Sequence, residues 1–138
     1  MEIRTIIFRG KRKDNGEWVY GDLSQHKNGK KFIKCGSATQ SYEIIPETIG
    51  QYTGLEANGK KIFEWDIHEF VCDDGGRHLF IVKFGEYNDI ESDDERYGWY
   101  FQNIRTGDCN SFYGNEKDYV NIIGNIHDNP ELLKGGAE

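Results

Sequence analysis

Proline is scarce in this chain, at 2 of 138 residues, while glycine reaches 17. That balance suits many short strands joined by tight turns. Cysteine is scarce as well. Cys35, Cys72 and Cys109 lie far apart and are odd in number, which excludes the dense, even framework of a small secreted disulfide scaffold. Long apolar runs are missing: no stretch approaches the roughly 20 residues that a membrane helix needs. The opening MEIRTIIFRG has an apolar stretch too short for a signal peptide. These absences point to a cytoplasmic protein with reduced thiols and no membrane contact. Only 36% of the residues are hydrophobic, but 14% are aromatic. Large rings bury much area each and favour strands, so a core for one domain is available.

Charge is unevenly spread. The net value is -7. Residues 1–61 hold 11 basic and 7 acidic side chains, a net of +4, whereas residues 62–138 hold 6 and 17, a net of -11. The bulk acidity argues against strong general binding to a phosphate backbone but leaves room for a local basic patch. The opposed halves also allow self-association into a homo-oligomer.

Strand signals recur at about 8–12 residues, the spacing of a small barrel or sandwich. Residues 3–8 read as a strand, and Asn15-Gly16 as a hairpin turn before a return strand over 17–23. Further strands are predicted over 31–34, 42–45 and 48–53. Asn58-Gly59 is a turn, and residues 61–72 read as one long strand with Phe63, Trp65, Ile67 and Val71 on one face. Residues 78–84, 98–104 and 119–126 complete the set. The acidic stretch 85–96 lacks a steady period and reads as an exposed loop. Asn129-Pro130 opens a short helix.

Four ordered blocks then resemble one known family. Residues 45–55, from Ile45-Pro46-Glu47 through Gly50-Gln51-Tyr52-Thr53-Gly54-Leu55, are similar to the central signature of the YopX-like phage and prophage proteins. Residues 58–67 resemble the stretch that follows it. Residues 8–11 with 16–23 resemble the N-terminal block, and residues 122–133 the closing one. The resemblance implies a mostly β fold whose central part is an SH3-like barrel, in a phage or prophage gene, and it implies no activity. Two positions depart from the pattern: Trp65 stands where glycine is usual, and His68 where an aliphatic residue is usual. If that glycine serves a special backbone conformation, Trp65 must alter the turn or carry strain. The acidic stretch looks like a lineage-specific insertion.

Each chemistry-bearing residue also has a plainer role. His68, Cys72 and His78, with Asp73 and Asp74, carry zinc-ligand chemistry. Their spacing is not a standard one, and along a strand His68 and Cys72 stand about 13 Å apart. The better reading is a partly buried thiol with surface histidines. Asp89, Glu91, Asp93, Asp94 and Glu95 lack the ordered spacing and turn glycine of a calcium loop. Cys35 with His26 lacks an orienting third group. Residues 50–54 read as a structural turn, since no phosphate-loop ending follows. The basic N-terminal third is the strongest feature. Arg9, Lys11, Arg12 and Lys13 lie near Trp18 and Tyr20, and Lys27, Lys30, Lys31 and Lys34 surround Phe32. Cations beside exposed rings are what a single-strand nucleic-acid surface uses; rings facing the core would leave the lysines as solubilising charge.

The expectation is an all-β fold: an N-terminal β-hairpin region (1–45), an SH3-like barrel core (46–128) and a short C-terminal helix and tail (129–138). The expected role is a non-enzymatic module that binds a host or phage protein, with no cofactor, metal or catalytic residue. A nucleic-acid-binding module is the second reading.

Overall fold

The computed structural model describes residues 5–36 and 40–135. Its strands are β1 (Phe8–Lys11), β2 (Trp18–Gln25), β3 (Lys31–Lys34), β4 (Ser41–Ile44), β5 (Gly50–Ala57), β6 (Lys60–Phe63), β7 (Asp66–Val71), β8 (Arg77–Asn88), β9 (Glu95–Asn103), β10 (Cys109–Ser111) and β11 (Ile122–Asn125). Among the described residues one α-helix, α1, spans Leu132–Gly135, and 3-10 turns occupy Pro46–Thr48 and Glu116–Asp118. The all-β class is therefore observed, as two antiparallel sheets. The SH3-like barrel is corrected: among the described residues neither sheet closes on itself, and short β10 and β11 end the second sheet on opposite sides. The predicted strand over 3–8 begins only at Phe8, and residues 1–4 lie outside the described part.

The chain forms two compact units, Met1–Gly54 and Leu55–Glu138. The boundary falls inside β5, not in a linker. In the first unit the order β4-β3-β2-β1 follows from consecutive hairpins, and β5 returns to pair with the other side of β1. Asn15 and Asn28 each accept the N–H two residues on, from Glu17 at 2.9 Å and Lys30 at 3.0 Å, with Gly16 and Gly29 at positive φ. These are the turns that Asn-Gly pairs favour. The register places Leu23 beside Ile33 and Ile33 beside Tyr42, and Ile33 and Ile44 are fully buried on that face. A Cβ at Gly21 would strike the Lys34 carbonyl oxygen, so the β2–β3 approach depends on that missing side chain.

In the second unit the order is β10-β9-β8-β7-β11. Ala57, Ile62, Val82, Phe101 and Val120 form its core, with Leu55, Phe80, Trp99, Phe112 and Ile122 packed around them. The long strand predicted over 61–72 is two strands. The Phe63 N–H donates to the buried Asp66 carboxylate at 2.8 Å, and Trp65 adopts φ 77. Its backbone is fixed there: the N–H donates to the Val82 carbonyl at 2.8 Å, and its own carbonyl accepts from Ile126 at 3.1 Å. Trp65 thus occupies the left-handed region that its usual glycine counterpart would adopt without strain. Left-handed backbone costs a residue with a Cβ about 1–2 kcal/mol. Trp65→Gly and Trp65→Ala both delete the indole, but only glycine relieves the backbone. In urea unfolding the glycine variant is expected to be the more stable by about 1 kcal/mol, and equal midpoints would show that no strain resides there.

Other elements also differ from expectation. Half of residues 85–96 is strand, because β8 and β9 pair in register as far as Asn88 opposite Glu95, and only 89–94 forms the connecting turn. Residues 50–54 are extended strand, not a turn. The final predicted strand, 119–126, shortens to β11, and the terminal helix to one turn.

Candidate functional site

A concave feature of the second unit is a cleft of about 370 Å³. Cross-strand registry builds it. His68 on β7 pairs directly with Phe80 on β8, so their rings stack at 5.8 Å between centroids. Phe80 pairs with Asn103, which puts Phe101 on β9 one diagonal step away and edge-on at 6.3 Å. Phe70, two residues along from His68, extends the same face. Phe101 pairs in turn with Asn110 on β10, and Asn110 and Ser111 form a polar side of the cleft. Glu91, Tyr113 and Tyr119 close its rim.

Two buried carboxylates hold these loops. Asp89 is 1% exposed and accepts the N–H groups of Glu91 at 2.9 Å, Ser92 at 3.0 Å and Ser111 at 3.1 Å, with the Ser111 hydroxyl in close contact. Arg96 lies 3.9 Å away. The Ser111 hydroxyl, followed by these N–H donors, holds the Asp89 carboxyl well below the usual carboxylate range. Glu116, fully buried, accepts the Tyr113 N–H at 2.5 Å and the Gly114 N–H at 2.9 Å. The Tyr113 phenol donates to Glu91 at 2.9 Å and the Tyr119 phenol to Glu116 at 3.4 Å. The bond to Glu91 pushes the Tyr113 phenol up to about 12. Burial, then the Glu116 charge, does the same for Tyr119, also to about 12.

His68 is not a surface histidine. It is 3% exposed, and its Nδ1 accepts the Asn121 N–H at 2.9 Å, which puts the ring proton on Nε2. Burial lowers its pKa, so it is a neutral aromatic wall at pH 7. Cys72 follows β7, and His78 pairs with Phe70 on the adjoining strand. Among the described residues no group of three or more His, Cys, Asp or Glu side chains is placed to hold a metal ion.

The basic residues singled out from sequence separate into three sets. Arg9 is buried, and its guanidinium lies 4.6 Å from the Trp18 ring centroid, with the Lys11 ammonium at 5.3 Å. Arg12 pairs with Asp14 at 2.7 Å and covers Tyr42, while Lys13 reaches Glu43 at 3.4 Å. Lys30, Lys31 and Lys34 form no ion pair with the described residues. Lys34 and Phe32 point to one side of β3 and Lys31 to the other. Tyr20 is exposed, but Trp18 and Phe32 are half-buried, and His26 packs on Phe32 at 4.5 Å. The one polar clamp with a local sequence signal is Asp89, whose bonds to the second and third residues after it are those of an aspartate turn. Glu116, Tyr113 and Tyr119 carried no such signal.

Among curated proteins no match was found. A family model described as "YopX protein" matches residues 7–134, a span that includes all four sequence blocks and both units' strands. The chain belongs to the YopX protein family.

Proposed function

We infer that this chain is a non-enzymatic, cytoplasmic binding module of a phage or prophage, and that it grips a host or phage protein through its second unit. The observation that carries the reading is the concentration of exposed rings there. Phe70, Phe84, Tyr97, Tyr113 and Tyr119 are all substantially solvent-facing, and Tyr97 is 72% exposed. Phe84 meets Tyr97 and Trp99 edge-on at 5.4 and 4.9 Å, which makes an aromatic ridge on the β8–β9 hairpin. Aromatic residues are enriched in the anchoring parts of protein interfaces. The phage setting rests on the family resemblance.

The second reading, a nucleic-acid module, draws on Lys30, Lys34 and exposed Tyr20. It is weakened at Trp18, whose ring is already attended by Arg9 and Lys11, and by the internal pairing of Arg12 and Lys13.

Two assays separate the readings. Quantitative affinity capture from host extract is expected to retain a defined protein that Phe84→Ala/Tyr97→Ala releases at least tenfold. Fluorescent single- and double-stranded oligonucleotides at low salt, repeated at about 0.2 M, are expected to show no binding. Salt-sensitive oligonucleotide binding lost in Lys30→Ala/Lys31→Ala would instead establish the nucleic-acid module.

A further inference from the structure

The geometry points to the aromatic cleft as a receptor for a cationic side chain, lysine or arginine, presented by the partner protein; this rests on the binding-module reading above. The walls are rings: Phe70, Phe80, Phe101, Tyr113 and Tyr119, with neutral His68 behind them. Among the described residues of the lining, Glu91 carries the formal charge. A purely apolar side chain would fit the rings but bring no positive charge to Glu91, which already accepts the Tyr113 phenol, and an anion would meet the carboxylate. A cation satisfies both, through the electron-rich ring faces and through the negative rim.

The electrostatic surroundings agree. Both rim phenols donate their hydrogen bonds to carboxylates, Tyr113 to Glu91 and Tyr119 to Glu116. Such donation shifts electron density onto the rings and strengthens their pull on a cation. Arg96 borders the lining at Ser111, but its guanidinium is already occupied by hydrogen bonds. Its Nε donates to Asp94 at 2.9 Å, and its other nitrogens reach Ser92 and Ser111. Residues 62–138 carry a net charge of -11, so a basic segment is drawn toward this unit before it docks. The cleft volume of about 370 Å³ lies in the range of small-ligand sites and takes one long side chain.

The test is a nuclear magnetic resonance titration of the full chain with Nα-acetyl-lysine N-methylamide and its norleucine and glutamate counterparts. The lysine probe is expected to shift the ring signals of Phe70, Tyr113 and Tyr119 and to bind about tenfold more tightly than norleucine, a gain within cation–π range. Glu91→Gln is expected to weaken lysine about fivefold and leave norleucine unchanged. Phe70→Leu, which keeps an apolar wall without a ring, should give a comparable loss. Both positions are exposed, and an otherwise unchanged spectrum verifies the fold. Equal binding of lysine and norleucine, or preference for glutamate, overturns the cationic occupant. So does self-association that Glu91→Gln dissolves, since the cation would then come from a second copy. The module reading fails separately, when capture retains no protein that the ridge variant releases.

Discussion

Asp89→Ala is expected to destabilise the second unit by about 3–4 kcal/mol. The carboxylate is the shared acceptor for three backbone N–H groups and one hydroxyl, drawn from the β8–β9 turn and from β10. A buried donor left unmet costs about 1–3 kcal/mol, and water reaches the partly buried Glu91 and Ser92 groups, which keeps the sum toward the lower end. Asp89→Asn preserves the shape but removes the charge and turns an amide toward donors, at a cost of about 2 kcal/mol. The pH dependence has a definite sign. The native carboxyl is depressed, so its contribution is complete above the unfolded value near 4 and declines as pH falls toward the lower native value. Urea midpoints for wild type and Asp89→Asn should therefore lie apart at pH 7 and converge below about pH 4. A gap that stays constant down to pH 2.5 would show that the charge is not what holds the two loops.

The other large effect is expected at Phe101. Its ring stacks on Phe112 at 4.5 Å, meets His68 at 5.3 Å, and belongs to the core with Ile62, Val82 and Val120. Phe101→Ala removes contacts to strands on both sides and is expected to cost about 3–5 kcal/mol, with Phe101→Leu near 1–2 kcal/mol. Because Phe101 also forms the inner wall of the cleft, the alanine variant opens a void that water can enter from the rim. Denaturant unfolding measures the cost, and an unchanged m value would show that the change lies in stability and not in compactness. A loss below 1 kcal/mol would mean that Phe80 and Phe112 collapse into the gap.

The first unit was legible where local chemistry decides the outcome. Asn15-Gly16 and Asn28-Gly29 set the hairpins, and β2, β3 and β4 fall within a residue or two of their predicted bounds. The second unit was less legible because its decisive contacts are not local. The alternation through Phe63, Trp65 and Ile67 is that of one strand, yet Asp66 captures the Phe63 N–H and bends the chain between them. Residues 85–96 look like a loop because an exposed hairpin carries polar residues on both faces, and only registry with β9 identifies the strand. β10, three residues of Cys109-Asn110-Ser111, has no apolar pattern to detect. Charge was legible, but its partners were not: Lys13 meets Glu43 thirty positions away. The cleft depends on six chain segments, and no spacing in the sequence announces their meeting. His68 illustrates the reason. Its neighbours Phe80, Phe101 and Tyr119 come from elsewhere in the chain, and they decide whether an imidazole titrates as an exposed base or packs as a ring.

The boundary within β5 has a practical side. Many two-part proteins are joined by a loose tether that a protease severs to release two intact halves. Here the junction between Gly54 and Leu55 lies within a strand, poor material for a protease, which cleaves exposed loop tips and loose termini in preference. A gene divided at that junction would give each product a severed stub of strand with unmet donors and acceptors, an invitation to cross-molecular pairing and precipitation.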